Sequence, residues 1–466
     1  MKVLLVGTRS LWLAPLLAVL LGVAGCPQRE EAAGPWPRGT ADAIPELGQR
    51  DDLNLVFVLV DTLRADHLGA YGYARETSPV MDHMMARGVR FARVESQSSW
   101  TKASMASLWT AAYPARTGIH RYSDALSEAA SMPAEILHDA GFVTCGIFRN
   151  GWLAPNFGFS QGFDLYTKPT PSVDRERFAQ HNPSAHRLQG TDYDATQAAI
   201  QFLRTYHDRR FLLYVHYMDV HQYLYEAESA RFGTKLVDAY DNAIHWTDRN
   251  VGALFGELER LDLLRKTVFA VAADHGEAFR EHTQEGHGRT LYAEVTRVPF
   301  FLTLPFQLPQ PIVVEPLVRN VDVWPTLLDL VGLAPPAGAE GESLLPLVEA
   351  AAGGGDPDPR PRESFAQLDR TWGRVGTAPR PLVSFTRWPY RLIASPGDDV
   401  RELYDLDSDP GERTNLAASL PEVAAELQAG VDSHLSAGPR EELSVEVQLD
   451  DLQLQQLRAL GYAVRP

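Results

Sequence analysis

Three apolar segments of this sequence are each followed by side chains that can bind a cation or transfer a proton. The segments are residues 54–60 (NLVFVLV), 211–215 (FLLYV) and 268–273 (VFAVAA). The side chains that follow them include Asp61, His221, Asp274 and His275. Short apolar runs rich in β-branched residues predict buried strands, and open α/β sheets bind ligands at the carboxyl ends of such strands. We therefore expect these side chains to meet in one crevice.

The adjacent pair Asp274 and His275 suits a divalent cation. Carboxylates and neutral imidazoles are both metal ligands, and Gly276 lets the backbone approach closely. The alternative is an ordinary turn with a capping aspartate, but matching groups after the other two segments favour a cation. Oxygen-rich ligation suits Ca²⁺ or Mg²⁺, whereas an imidazole ligand favours Mn²⁺ or Zn²⁺, so four metals are candidates.

A hydroxyl group is also expected near the crevice. From Ser104 onward, small and apolar residues alternate at helical spacing, which predicts a helix with Thr101 at its amino end. Free N–H groups and the helix dipole favour an anion there. A threonine at this position is also a common helix cap.

The amino-terminal residues have the pattern of a secretory signal. Positive charge at Lys2 and Arg9 precedes an apolar core over residues 11–23, which is shorter than the ~20 residues of a membrane span. Residues 21–26 (LGVAGC) resemble the bacterial lipobox, in which Cys26 is lipidated. We expect a lipoprotein signal peptide over residues 1–26; an ordinary cleaved signal or an uncleaved anchor is the alternative.

These residues predict a membrane-anchored lipoprotein of the bacterial cell envelope, facing the periplasm or the exterior. Residues 27–52 are rich in Pro, Gly, Ala and charge, as expected for a tether. The only other cysteine is Cys145, so no internal disulfide remains after lipidation of Cys26, and Cys145 is predicted to be a small core residue.

Composition indicates a globular protein that does not bind nucleic acid. The chain has 466 residues, of which 45% are hydrophobic and 22% charged, as in ordinary globular domains. Its net charge of −17 argues against nucleic acid as a partner.

The order of the segments predicts an α/β fold with an appendage. Strand-like and helical patterns alternate, which implies a mostly parallel sheet covered on both faces. A Gly/Pro/Asp-rich stretch then separates short strand-like pieces that predict a small antiparallel sheet. The predicted parts are a catalytic domain over 53–352, a spacer over 353–372 and a C-terminal subdomain with strands and helices over 373–466.

In order and spacing, the motifs resemble the sulfatase family of the alkaline phosphatase superfamily, over residues 54 to about 435. The matching motifs are residues 54–61, 63–66 (LRAD), 71–73 (YGY), 106–108 (ASL), 113–114 (YP), 116–118 (RTG), 274–277 (DHGE), 287–288 (HG), 291–292 (LY), 297–299 (RVP), 402–406 (ELYDL) and 409–412 (DPGE). The resemblance implies an alkaline-phosphatase-like α/β/α sandwich and a metal-dependent ester hydrolase.

The sequence departs from the family pattern at two positions. The family's Cys-x-Pro-x-Arg motif, whose Cys or Ser is oxidised to formylglycine, falls on residues 101–105 (TKASM). Thr101 cannot become formylglycine, so none is expected, and Met105 replaces the arginine. The family's paired aspartates are Asp61 and Thr62, so one metal carboxylate is missing. Both changes favour the superfamily's Thr-nucleophile members, similar to nucleotide pyrophosphatases, phosphonate hydrolases and phosphoethanolamine transferases.

The resemblance implies a site with one divalent cation and a threonine nucleophile. The implied ligands are Asp61, Asp274, His275 and the Thr101 hydroxyl. The cation lowers the pKa of that hydroxyl, which attacks phosphorus or sulfur in line and forms a covalent phospho- or sulfo-threonine. The cation and the helix N-terminus together stabilise charge on the equatorial oxygens.

Three further side chains have implied or suggested roles. His221 matches the position of the family's leaving-group acid. His287 stands where the family has a substrate-contacting Lys or His, and with Asp219 it alternatively completes a second metal site. Lys102 is either a contact for a substrate oxyanion or a solvated lysine at the start of a helix.

We therefore expect a hydrolase of phosphodiester, phosphonate or sulfate esters in a glycan, lipid or small molecule. A catalytically silent relative that binds anionic glycans or lipids is one alternative, and a phosphoethanolamine-type transferase is the other. Retention of the ionisable residues at the crevice favours an enzyme. Loss of the arginine and of one aspartate favours the silent relative.

Overall fold

A computed structural model of the chain describes residues 36–172, 177–180, 190–353, 362–371, 377–396 and 400–449. The predicted signal peptide and Cys26 lie outside these residues. Within the described ranges, every helix is too short or too polar to cross a membrane.

The strands are β1 (Asn54–Val60), β2 (Val89–Glu95), β3 (Asp124–Leu126), β4 (Val143–Ile147), β5 (Leu165–Thr167), β6 (Phe178–Gln180), β7 (Phe211–Tyr217), β8 (Leu224–Glu226), β9 (Thr267–Ala272), β10 (Ala278–Phe279), β11 (Glu285–Gly286), β12 (Phe300–Thr303), β13 (Ile312–Arg319), β14 (Glu363–Asp369), β15 (Pro381–Arg387), β16 (Tyr390–Ala394), β17 (Arg401–Asp405) and β18 (Ser444–Glu446). The α-helices are α1 (Pro79–Met85), α2 (Thr101–Thr110), α3 (Pro114–Thr117), α4 (Pro133–Asp139), α5 (Asp192–Tyr206), α6 (Leu236–Arg260), α7 (Ala293–Thr296), α8 (Val323–Leu330), α9 (Leu345–Ala351) and α10 (Pro421–Ser436).

The central sheet has eight strands in the order β13-β2-β12-β9-β1-β7-β4-β5. All neighbouring pairs are parallel except those of β12, which runs antiparallel to β2 and β9. Every residue of β1 and β9 is buried, because helices cover both faces of the sheet. The mostly parallel α/β fold predicted from the sequence is confirmed.

Local sequence sets the helices that flank the site. Thr191 precedes α5, and its hydroxyl accepts the amide of Asp194 while the Asp194 side chain accepts the amide of Thr191. This capping box starts the helix close to the carboxyl end of β4. Helix α6 spans 25 residues; every residue from Asp238 to Asp248 is buried, whereas its second half buries one face.

The predicted tether is shorter than residues 27–52. From Trp36 onward the chain packs on the domain, with Ile44 and Leu47 buried and the Trp36 indole donating to the carbonyl of Leu304 at 2.9 Å. A few apolar anchors within a Pro- and Gly-rich stretch are enough to fix it, which composition alone does not reveal. Any free tether is therefore confined to residues before 36, which lie outside the described part.

The C-terminal antiparallel sheet begins inside the predicted spacer. Its four strands follow the order β14-β15-β16-β17, and β14 lies within residues 353–372. Helix α10 packs on this sheet. Farther on, β18 pairs with β3 of the large domain, so the C-terminal end of the described residues packs on that domain.

Buried residues at the C-terminal helix give the fold a pH-dependent element. The His434 ring stacks on Phe365 with ring centroids 4.0 Å apart, and its Nε2 is buried with no hydrogen-bond partner among the described residues. Burial, and secondarily the charge of Arg116, lowers the pKa of His434 to about 4 from 6.5. Between about pH 6.5 and pH 4, His434 is therefore protonated in the unfolded chain but not in the folded chain.

We predict that His434→Phe reduces the acid sensitivity of the free energy of unfolding. Because the folded pKa is depressed, His434 costs the wild type about 1.4 kcal/mol per pH unit as pH falls from 6.5 towards 4. Phenylalanine keeps the stacked ring and carries no proton. Urea unfolding of both proteins between pH 5 and 7.5 tests this, and parallel pH profiles for the two proteins would contradict it.

Candidate active site

The carboxyl ends of two neighbouring parallel strands bring the first group of site residues together. Asp61 follows β1, and Asp274 and His275 follow β9, which pairs with β1. One ligand atom from each of these three residues lies within 4.8 Å of the others, and all three side chains are buried. The structure thus places Asp61, Asp274 and His275 in the arrangement that the sequence predicts for a cation site.

In each carboxylate of this cluster, one oxygen accepts hydrogen bonds and the other accepts none from the described residues. The Asn150 amide donates to Oδ2 of Asp61 at 2.7 Å, and the backbone amides of Thr62 and His275 donate to Oδ1 of Asp274 at 3.1 and 2.9 Å. The second oxygens, Asp61 Oδ1 and Asp274 Oδ2, are buried without a hydrogen-bond partner among the described residues. Buried carboxylate oxygens need such a partner or a cation, so the donor set fits a divalent metal ion.

The electrostatics of the cluster also fit a cation. Burial and the charge of Asp61 raise the pKa of Asp274. Burial acts to raise the pKa of Asp61 as well, but His221 and His216 outweigh it, so that pKa is lowered overall. Two buried carboxylates so close together repel each other, and positive charge between them relieves the repulsion.

Thr101 is the first residue of α2, and its hydroxyl faces the cluster. Thr101 Oγ1 lies 3.1 Å from Nε2 of His275 and 3.5 Å from Nδ2 of Asn150. The Ser104 hydroxyl, one turn into α2, donates to the carbonyl of Asp274 at 2.5 Å and fixes the helix to the strand end. The hydroxyl is therefore held at a helix N-terminus beside the candidate metal ligands.

Thr62 occupies the position where the family resemblance implies a second aspartate. Its φ of 61° lies in the left-handed region, which is rare for a β-branched residue. The Tyr240 hydroxyl donates to the carbonyl of Thr62 at 2.6 Å and holds this backbone in place. Here the chain gives Asp274 a backbone N–H instead of presenting another carboxylate to the cation.

Two histidines stand beside the cluster. The ring centroids of His221 and His287 are 5.0 Å apart, and those of His275 and His287 are 4.6 Å apart. His287 Nδ1 lies 3.1 Å from a carboxylate oxygen of Glu277. Burial lowers the pKa of His221 to about 4, whereas for His287 burial is outweighed by Glu277 and the pKa is raised.

Lys102 is neither solvated nor directed at a substrate. Its side chain is fully buried, and its ammonium group donates to the carbonyls of Tyr122 and Asp124 at 2.8 and 2.6 Å. Aromatic rings of Trp100, Trp152 and Phe157 surround the nitrogen within 5.3 Å. The substrate-binding role suggested for Lys102 is corrected accordingly: this lysine fixes the start of α2.

The Asp219 carboxylate likewise has hydrogen-bond partners outside the candidate cation site. Its carboxylate accepts from Arg149 at 2.5 Å, from the amide of Asp192 at 2.8 Å and from the Trp246 indole at 2.9 Å. Asp219 does not belong to the candidate metal-binding group, which among the described residues consists of Asp61, Asp274 and His275. The structure therefore gives no support to a second metal site built from Asp219 and His287.

Sequence reasoning missed Asn150 and gave His216 no clear role. Asn150 lies three residues beyond β4, in a loop rich in glycine and aromatic residues, and His216 is the sixth residue of β7. His216 Nε2 lies 3.5 Å from Oδ2 of Asp61. Both residues occupy the same edge of the sheet as Asp61, so a consistent search of all strand ends could have found them.

Comparisons with known proteins agree with this fold. The family model described as Sulfatase matches residues 53–333, more than half of the chain. Arylsulfatase K from Bos taurus is 30% identical over 187 residues, which are 39% of this chain and 33% of the relative. The Delta 4,5-hexuronate-2-O-sulfatase from Bacteroides thetaiotaomicron is 24% identical over 464 residues, which cover 85% of this chain and 92% of the relative.

Solved structures share the fold at low sequence identity. A 2-O GAG sulfatase has a TM-score of 0.68 and 20% identity, with 83% of this chain and 92% of that chain covered. The phosphonate monoester hydrolase of Agrobacterium radiobacter has a TM-score of 0.64 and 17% identity, with 85% and 100% covered. The matches to arylsulfatase K from Bos taurus, Mus musculus and Homo sapiens cover about a third of each relative's length. On the family match over residues 53–333, this protein belongs to the sulfatase family of the alkaline phosphatase superfamily.

Proposed function

We propose that the protein hydrolyses a monoanionic ester, of the sulfate, phosphodiester or phosphonate class, with Thr101 as its nucleophile. The observation that carries this proposal is the position of Thr101 Oγ1, 3.1 Å from Nε2 of His275 and at the N-terminus of α2. Two similar proteins support ester hydrolysis: one is a Delta 4,5-hexuronate-2-O-sulfatase and the other a phosphonate monoester hydrolase.

The proposed reaction proceeds in two displacements. Thr101 Oγ loses its proton to solvent and attacks the sulfur or phosphorus, and the bond to the ester oxygen breaks. The leaving oxygen takes a proton from an imidazolium, for which His287, whose pKa is raised, is better suited than His221, whose pKa is lowered to about 4. Water then attacks the sulfo- or phospho-threonine and regenerates the hydroxyl. Asp61, Asp274 and His275 would hold a divalent cation, which would supply Lewis-acid chemistry by lowering the pKa of a bound hydroxyl and neutralising negative charge.

The charges around Thr101 support a substrate centre with a single negative charge. The basic residues nearest in sequence to the site residues point elsewhere. Arg64 pairs with Asp66 and Glu281, Lys102 bonds two carbonyls, and Arg149 bonds two aspartates. Met105 replaces the motif arginine and is buried. A phosphate monoester, with two negative charges, lacks those cationic partners, so we expect it to react more slowly than a diester.

The imidazoles give a prediction that depends on the leaving group. We expect His287→Gln to lower kcat/KM by about 10²- to 10⁴-fold for an alkyl ester, because the alkoxide leaving group needs the proton. The same variant loses much less with a nitrophenyl ester, whose leaving group is stable as an anion. His221→Gln is measured beside it. Equal losses on both esters for both variants would contradict an acid at either position.

The function is tested with chromogenic sulfate monoester, phosphodiester, phosphonate monoester and phosphate monoester substrates. Residues 27–466, which include every residue that the structure describes, are purified and assayed with Ca²⁺, Mg²⁺, Mn²⁺ and Zn²⁺. Cation-dependent turnover of one of the first three esters supports the proposal, and the preferred ester distinguishes sulfur from phosphorus chemistry. No turnover of any ester favours the silent relative, and turnover only with a lipid donor and an acceptor favours the transferase.

We further propose that the protein is anchored to the bacterial cell envelope through lipidated Cys26. The support is the lipobox-like sequence at residues 21–26, which lies outside the described residues. In a bacterial host, the wild type is expected to incorporate a labelled fatty acid and to sediment with membranes. Cys26→Ala is expected to lose the label; a label retained by this variant contradicts the proposal.

A further inference from the structure

A buried ion cluster stands directly behind the candidate active site. We call it the Arg149 cluster; it consists of Arg149, Asp192 and Asp219. Arg149 Nη1 donates to Oδ1 of Asp192 at 2.6 Å and to Oδ1 of Asp219 at 2.5 Å, and Nη2 donates to the carbonyl of Gly190 at 2.6 Å. The side chain of Arg149 is 2% exposed and those of both aspartates are 0% exposed.

The cluster joins four elements of the fold. Arg149 follows β4, Asp192 begins α5 and Asp219 follows β7. Side chains of α6 complete it, since the Thr247 hydroxyl donates to Asp192 at 2.6 Å and the Trp246 indole donates to Asp219 at 2.9 Å. A guanidinium is a rigid planar fork, so its bonds to two carboxylates and a carbonyl fix the backbone at Arg149 in position and direction.

The residue after Arg149 is the one that reaches the site. Asn150 has an extended backbone (φ −68°, ψ 130°), in which neighbouring side chains point in opposite directions. Its Oδ1 accepts the amide of Trp152 at 3.0 Å, so its Nδ2 is left to donate to Oδ2 of Asp61 at 2.7 Å. The same nitrogen lies 3.5 Å from Thr101 Oγ1.

We infer that the Arg149 cluster positions Asn150, and through it Asp61, for cation binding. Asn150 occupies Oδ2 of Asp61 and so turns the unpartnered Oδ1 towards the cation position. The family's second aspartate is Thr62 here, so the site depends more heavily on the orientation of its remaining carboxylates. This inference rests on the cation site of the proposed function but requires no hydrolysis by Thr101.

A charged cluster in this place is costly, which supports a positioning role. The cluster places three ionisable side chains in a buried region, where apolar side chains of similar volume are often equally stable or better. Such a cluster contributes geometry more reliably than stability. Residues that orient a metal ligand typically change metal affinity by about 10- to 100-fold when replaced.

The test is a double-mutant cycle on cation affinity, measured by calorimetry with Ca²⁺, Mg²⁺, Mn²⁺ or Zn²⁺, whichever binds the wild type most tightly. Arg149→Lys keeps the charge but loses the fork, and Asn150→Ala removes the contact to Asp61. We expect each to weaken binding by about 10- to 100-fold, and the double variant to bind no more weakly than Asn150→Ala alone. Asp219→Asn is the second variant of the cluster and is expected to act in the same direction.

Arg391→Lys is the matched control. Arg391 is also fully buried and bridges two carboxylates, those of Glu95 and Glu412, at 2.9 and 3.1 Å. We expect it to lower the melting temperature as Arg149→Lys does while leaving cation affinity unchanged. Unchanged cation affinity in Arg149→Lys, multiplicative losses in the double variant, or no binding of any of the four cations to the wild type would each overturn the inference. A wild type that binds the cation but hydrolyses no ester would count against the proposed function and not against this inference.

Discussion

Thr101→Ala is expected to lower kcat by about 10⁴- to 10⁶-fold on whichever ester the protein hydrolyses, because it removes the nucleophile from an otherwise intact site. Thr101→Ser keeps an oxygen at the N-terminus of α2, so we expect it to retain most of the activity. Initial rates at saturating substrate measure both variants. The hydroxyl lies 3.1 Å from Nε2 of His275, so cation content is measured on the same samples.

The comparison of the two variants separates a nucleophile from a mere cation ligand. If Thr101 only completed the ligand set, Thr101→Ala would lower cation affinity, and excess cation would restore turnover. Restored turnover in Thr101→Ala would therefore contradict the proposed reaction. Ser104→Ala is a suitable control, since Ser104 lies on the same helix and its hydroxyl bonds only the carbonyl of Asp274.

Asp274→Asn is expected to abolish the stabilisation of the fold by divalent cations. A ligand that binds only the folded state at about 1000 times its Kd adds about 4 kcal/mol to the free energy of unfolding. In the wild type we expect that increase on adding the cation and its loss with a chelator. The variant lacks one negative charge of the cluster, so its melting temperature should not respond to either treatment.

Asp248→Asn serves as the control for this prediction. Asp248 is also a buried aspartate, but its carboxylate accepts the amides of Val80 and Met81 at 3.0 and 2.8 Å, at the N-terminus of α1. We expect this variant to be less stable yet to keep the response to cations. A cation response that persists in Asp274→Asn would contradict the assignment of Asp274 as a ligand.

The sequence predicted the site residues where a polar side chain directly follows a buried strand. Asp61 and Asp274 are the first polar residues after continuous apolar runs, and parallel strands bring such positions to one edge of a sheet. The same rule predicted His221 beside them. The motif spacing also placed Thr101 at the start of a helix, which the structure shows as the first residue of α2.

The sequence was uninformative where contacts between distant residues decide. Lys102 is buried because Trp152 and Phe157 come to it from a loop some fifty residues away in sequence, and its ammonium finds two backbone carbonyls there. Asn150 lies in a loop whose composition carries no code, and its role depends on the Arg149 cluster. Similarly, β14 lies in a stretch interpreted as a spacer, because pairing with β15 defines it more than its own composition does.

Mass spectrometry of the wild-type protein, quenched in acid during turnover of its preferred ester, decides whether Thr101 is the nucleophile. We expect a sulfo or phospho group on the peptide that contains Thr101, formed in step with the first turnover of released alcohol. A burst of alcohol release with the group on another residue, or with Thr101 unmodified, would contradict it.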